Sequence, residues 1–129
     1  VSAGALVGEC LAAAGFLVEE GVSADILSLR FIKPLDTQWI ARTVSSYGFV
    51  VIVEDGAAAG GIGEYISALF GSPAGAPLIQ YLGIPDRFIP QGTREECLAM
   101  CGLDADSIVR KTLSMMTGRL RSVKKHTAG

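Results

Sequence analysis

Apolar positions along this chain change their spacing several times, and each change marks an element. Leu6, Cys10, Ala13 and Leu17 recur at helical spacing, which predicts a helix from Ala5 to about Glu20 that ends at Gly21. Ile26, Leu27, Leu29 and Phe31 crowd together as a strand over 24–32, which Pro34 stops. Asp36 then offers an N-cap to a helix whose face is Trp39, Ile40, Thr43, Val44 and Tyr47, with Gly48 at its end. The run from Phe49 to Val53 is apolar and rich in β-branched residues, the pattern of a strand buried on both faces.

That run breaks into Glu54-Asp55, then a loop of small residues, then a helix opened by Gly60-Gly61-Ile62-Gly63 with Ile62, Tyr65, Ile66, Leu69 and Phe70 as its apolar face. A loop over 72–77 and a strand over Leu78 to Leu82 follow. The Pro- and Gly-rich stretch from Gly83 to Gly92 reads as an extended surface segment pinned by its aromatic and apolar residues. Thr93 and Glu96 form a capping-box pattern ahead of a short helix through Cys97, Leu98 and Cys101 to Gly102. Asp104 caps a last helix with Ile108, Val109, Thr112, Leu113 and Met116 on one face, and beyond Gly118 a basic tail (118–129) is expected to fray.

Strands alternating with helices imply right-handed βαβ crossovers, so the expected fold is a three-layer α/β/α sandwich with a mostly parallel sheet. The 129 residues suit one domain, 1–129. A strand normally precedes the first helix of such a fold, so Val1-Ser2 reads as the stump of a strand in a chain cut from a longer polypeptide.

Composition narrows the partners. Eleven Lys and Arg against 13 Asp and Glu leave a net charge of -2, too balanced to gather nucleic acid. No apolar run approaches the roughly 18 residues of a membrane span, so neither nucleic acid nor a membrane is an expected partner. Three cysteines suggest a reducing compartment, cytoplasmic or the stroma of a plastid.

Candidate chemistry gathers where the central strand ends. Amides of Gly60, Gly61 and Gly63 can hold an anion at a helix start. However, Ile66 stands where a dinucleotide fingerprint needs Gly or Ala, and Glu54 and Asp55 would repel a phosphate, which favours close backbone packing for the glycines. Glu54 and Asp55 can serve as acid and base, but neighbours on a strand face opposite ways, so pairing with Arg30 or Lys33, or capping of the loop, is the favoured role. Arg30 and Lys33 near another strand end can meet a phosphate or a partner carboxylate, with an interdomain salt bridge the favoured role. Cys97 and Cys101, one turn apart, have no third ligand nearby in sequence, and the single His126 lies in the tail. The residues alone offer no complete catalytic, cofactor-binding or metal-binding set.

The motifs in order resemble a known family. Arg30-Phe31-Ile32-Lys33-Pro34-Leu35-Asp36, followed by Val53-Glu54-Asp55-Gly56 and Gly60-Gly61-Ile62-Gly63, is similar to the C-terminal domain of the transketolase family of thiamine-diphosphate enzymes. The segment from Gly83 to Thr93, with Gly102-Leu103-Asp104 after it, narrows the resemblance to the 1-deoxy-D-xylulose-5-phosphate synthases. Asp55 stands where many relatives carry a second Glu, and Leu120 to Lys125 fall outside the pattern.

The resemblance implies a homodimeric transferase that joins the two-carbon unit of pyruvate to glyceraldehyde 3-phosphate, feeding isoprenoid and thiamine synthesis. It puts thiamine diphosphate and Mg2+ in N-terminal domains outside this fragment, which would be inactive alone. Here Arg30, Lys33, Glu54, Asp55, Gly60, Gly61 and Gly63 would support an interface or an active site built elsewhere. Alternatives are the same domain of a transketolase or of a 2-oxoacid dehydrogenase β-subunit, and a stand-alone anion-binding module.

Overall fold

A computed structural model describes residues 1–71 and 76–126, with side chains through 118. Four strands, β1 (Ser2–Ala3), β2 (Ser28–Leu29), β3 (Phe49–Ala57) and β4 (Leu78–Ile84), form one parallel sheet in the order β2-β1-β3-β4. Helices α1 (Val7–Glu19), α2 (Thr37–Val44), α3 (Ile62–Phe70), α4 (Arg94–Cys101) and α5 (Ala105–His126) cover its two faces. This is the expected three-layer architecture.

Strand alternation divides the core in two. Val53 and Leu82 face Leu6 at the start of α1, Cys10 and Ala13 of α1, Leu98 of α4 and Ile108 of α5. Val50 and Ile52 face Ile40 and Val44 of α2 and Ile66 of α3. Each fully buried Leu or Ile contributes about 1.5–3 kcal/mol, so these two clusters fix which face of each strand points which way.

Several boundaries and faces differ from the sequence reading. The second strand is only Ser28–Leu29, since few of its neighbours have a ladder partner there, and Arg30 through Pro34 are all exposed. Helix α2 ends at Val44 and buries Ile40 and Val44, while Trp39 and Tyr47 of its expected face are 44% and 39% exposed. On α3 the buried residues are Gly63 and Ile66, and Tyr65 and Leu69 look outward. Of the apolar residues expected to pin the segment from Gly83 to Gly92, Ile84 ends β4 and packs on the core and Ile89 is half-buried, but Phe88 is fully exposed, and Arg87 Nη2 donates to Met100 O at 2.8 Å. The last helix continues past Gly118, with its backbone helical to His126. Positions 72–75 of the expected loop, and the side chains of the basic tail, lie outside the described residues.

The helix ends follow the expected chemistry. Thr93 and Glu96 make a full capping box, and Gly102 closes α4 in the left-handed region at φ 67°. Asp36 accepts from Trp39 N at 2.9 Å, and Asp104 from Ser107 N at 3.1 Å. Gly21, at φ 74°, follows α1 while Val22 N bonds back to Leu17 O at 2.8 Å.

Candidate functional site

The carboxyl end of β3 is where the candidate residues meet. Strand β3 runs past Val53 to Ala57, farther than its apolar run, because its register with β4 shifts: Val53 pairs with Leu82 but Ala57 with Ile84. Four residues of β3 therefore span what two span on β4, and Glu54, Asp55 and Gly56 bulge out of the ladder with β4, while Glu54 still pairs with Ala3 of β1.

The two acids leave the bulge in opposite directions. Glu54 is buried, and its Oε2 accepts from Gly63 N at 2.8 Å. Gly63 is the second residue of α3, whose N-cap, Gly61, has no side chain with which to cap it. Glu54 therefore supplies the missing cap from the strand, with its negative charge at the positive end of the helix dipole. On the other face, Asp55 Oδ2 accepts from Ala5 N at 2.8 Å, at the entry to α1, whose N-cap Leu6 is equally unable to cap. The two carboxylates thus tie one helix of each layer to one strand end. Their partners are backbone amides, and neither is Arg30 or Lys33.

The glycines are there for space. A Cβ on Gly61 would run into Glu54 Oε1, Tyr81 Oη and the Ala57 carbonyl oxygen, and one on Gly63 would enter the Tyr81 ring. Gly60, at φ 75°, meets no neighbour but needs the left-handed backbone. Two amides that an anion would have used are already occupied: Gly63 N by Glu54, and Gly60 N by Glu64 Oε2 at 2.7 Å.

Tyr81, on β4, is the residue that pattern reading missed. Its hydroxyl donates to Ala57 O at 3.1 Å beside Glu54. Burial and the adjacent Glu54 carboxylate push the phenol up to about 12, with Glu64 adding to the effect. Only its place opposite the small-residue loop distinguishes Tyr81, and that place is set by the β3–β4 register. The remaining candidates, Arg30 and Lys33, lie on an exposed segment with a cis Lys33–Pro34 bond, and neither joins this cluster.

Chemically, the arrangement is a brace. Among the described residues no three His, Cys, Asp or Glu side chains converge as a metal-ligand set. Nor does any described helix have the length and apolarity to cross a membrane.

The chain is similar to known proteins. The family model described as "Transketolase, C-terminal domain" matches residues 1–108, most of the chain. The chain belongs to that family. Within it, the chain is similar to 1-deoxy-D-xylulose-5-phosphate synthase of Treponema pallidum (strain Nichols), 37% identical over 124 residues that cover 94% of this chain and 20% of the relative. The Chlorobium luteolum enzyme of that name is 40% identical over 106 residues, covering 81% of this chain and 17% of the relative. The one from Ralstonia nicotianae is 34% identical over 126 residues, 97% and 19%. The chain thus spans about a fifth of the length of these relatives. Among solved structures, a "Split gene transketolase, inactive beta4 tetramer" superposes with a TM-score of 0.78 at 25% identity, over 90% of this chain and 38% of that one. The β3 brace therefore belongs to a transketolase C-terminal domain, and it lies within the matched residues.

Proposed function

We propose that this chain is the C-terminal domain of a thiamine-diphosphate-dependent 1-deoxy-D-xylulose-5-phosphate synthase. The observation that carries the reading is the alignment of relatives bearing that name across nearly the whole chain, 94% of it for the Treponema pallidum protein. The full protein would join the two-carbon unit of pyruvate, with loss of CO2, to glyceraldehyde 3-phosphate. Thiamine diphosphate and Mg2+ would be held by domains outside this chain, the cofactor carrying the two-carbon unit between the substrates.

This domain's own part would be support. Glu54 and Asp55 fix the starts of α3 and α1 to the end of β3, and Gly60, Gly61 and Gly63 allow the close packing that this needs. A strand end braced in this way gives the other domains and a homodimer partner a rigid surface on which to assemble. Arg30 and Lys33, exposed next to Phe31 and Ile32, are proposed to meet carboxylates of those domains.

The test is expression of the full-length protein from the gene that encodes this chain, followed by assay with pyruvate and glyceraldehyde 3-phosphate. The expected result is 1-deoxy-D-xylulose 5-phosphate formation that needs thiamine diphosphate, with no turnover by residues 1–129 alone. Preference for a ketose donor would make the protein a transketolase, and acyl transfer to a lipoyl carrier would make it a 2-oxoacid dehydrogenase β-subunit. Turnover by the isolated chain would refute the supporting role.

A further inference from the structure

The two edges of the sheet are unlike. Strand β2 is two residues long, too short to template another strand, whereas β4 presents seven, Leu78–Ile84, with neither charge nor proline among them. Alternate residues of a parallel strand bond to each side. Leu78 N donates to Gly48 O at 3.0 Å, so the ladder with β3 uses the amides of Leu78, Gln80 and Leu82. The N–H and C=O groups of Ile79, Tyr81 and Gly83 therefore point away from β3, and among the described residues no strand lies beyond them. Gln80 Nε2 reaches the Tyr81 carbonyl at 3.4 Å, a long contact from this strand's own side chain.

Along this edge runs a groove of about 890 Å³, lined by β4, by Ala58 and by the side of α5 that carries Arg110, Lys111 and Ser114. Its two sides differ in chemistry. Leu82 packs with Ile108 of α5, while Ile79 and Tyr81 pack with α2 and α3, and Ala58 lies against Gly83. A strand laid along the edge would thus alternate its side chains between a basic wall and an apolar one. Arg110 is exposed and donates to Ser107 Oγ at 2.7 Å, and Lys111 Nζ donates to Gly102 O at 3.0 Å. Among the described residues neither cation meets a carboxylate. The sequence concentrates this charge: all 13 Asp and Glu lie at or before Asp106, and six of the 11 Lys and Arg follow it.

We propose that the β4 edge docks an extended acidic segment of another polypeptide, which adds a strand to the sheet beyond β4. Backbone bonds to Ile79, Tyr81 and Gly83 hold the segment, and its side chains set the choice. Those facing α5 are Asp or Glu, which meet Arg110 and Lys111, and those between them are apolar and cover Ala58, Ile79 and Tyr81. Charge argues against a second copy of this chain as the occupant. Two β4 edges paired antiparallel would place both copies of Arg110 and Lys111 on the same side of the joined sheet, cation against cation.

The test is fluorescence anisotropy of the labelled peptide Gly-Glu-Val-Glu-Val-Glu-Gly with the full-length protein from the gene that encodes this chain. The peptide is expected to bind, and its Lys-for-Glu counterpart to bind roughly tenfold more weakly. Two further peptides carry backbone N-methyl groups, one on every Glu and one on every Val. Alternate amides face the edge, so one of these peptides is expected to lose binding and the other to keep it. Arg110→Glu is expected to weaken the Glu peptide roughly tenfold, and Arg110→Gln less, with circular dichroism unchanged in both. Equal affinity for the Glu and Lys peptides, or indifference to both methylation patterns, would overturn the proposal. So would failure of the Glu peptide to bind, and hydrogen exchange at the Ile79, Tyr81 and Gly83 amides would then give the reason. Fast exchange means a bare edge, slow exchange that is lost on dilution means a second copy, and slow exchange at every concentration means another domain of the same chain. None of these readouts depends on which reaction the full protein catalyses.

Discussion

Glu54 Oε2 accepts the amide of Gly63 at 2.8 Å, so that a buried strand carboxylate caps a helix whose own N-cap is glycine. The pair explains why two features that look like an anion cradle in the sequence act instead as a joint. Replacing Glu54 by Ala leaves the Gly63 amide without its acceptor, and the expected loss is about 1–3 kcal/mol in urea denaturation. E54Q keeps an acceptor while removing the charge at the helix terminus, and its expected cost is about 0.5–1 kcal/mol. A stability equal to that of the unmodified protein in both variants would show that the cap is dispensable.

The glycines differ in what they tolerate. Gly63→Ala puts a methyl into the Tyr81 ring, and Gly61→Ala puts one against the Ala57 carbonyl as well as two side chains. Each substitution is expected to destabilise by about 1–3 kcal/mol through overpacking. Gly8→Ala, at an exposed helical position with open space around it, should be neutral or slightly stabilising and serves as the control. Thermal melts of the three variants check the order.

Tyr81 sets an alkaline limit. Its folded-state value of about 12 lies above the ordinary 10.0, so the neutral phenol is favoured by the fold. Its stabilising contribution is complete below pH 10 and is lost as pH rises toward about 12. Tyr47 is also raised, by its hydrogen bond to Asp25, so the comparison belongs in a Y47F background. There, ultraviolet titration is expected to show one late-ionising phenol that disappears in Y81F, together with a shallower loss of stability above pH 10.

Phe88 offers a test of the proposed assembly that is separate from folding. It is fully exposed in this chain, and Phe88→Ser should change the stability of residues 1–129 by less than about 0.5 kcal/mol. In the homodimer proposed for the full-length protein, sedimentation equilibrium is expected to show weaker association for the same variant. Unchanged association would exclude Phe88 from the assembly surface.

Much of the fold was legible along the chain because its signals are local. Helical spacing from Leu6 to Leu17, the capping box of Thr93 and Glu96, and the β-branched run before Glu54 each act over a few residues, and each became the expected element. Faces were less legible. Trp39, Tyr65 and Leu69 fit a helical apolar face, yet the sheet covers only the narrower line through Ile40 and Ile66. Apolar spacing tells which residues share a side of a helix, and the width of the covering surface is a property of the neighbour.

The candidate site shows the same division. The sequence by itself determined that two acids and three glycines follow the central strand, and that adjacent acids on a strand must diverge. Only the tertiary structure decided where they went, toward α3 and α1, because the bulge between Val53 and Ala57 arises from the register against β4. Tyr81 entered the site through that register alone. A residue's chemistry is carried in the chain, but its partners are set by the packing of segments distant in sequence.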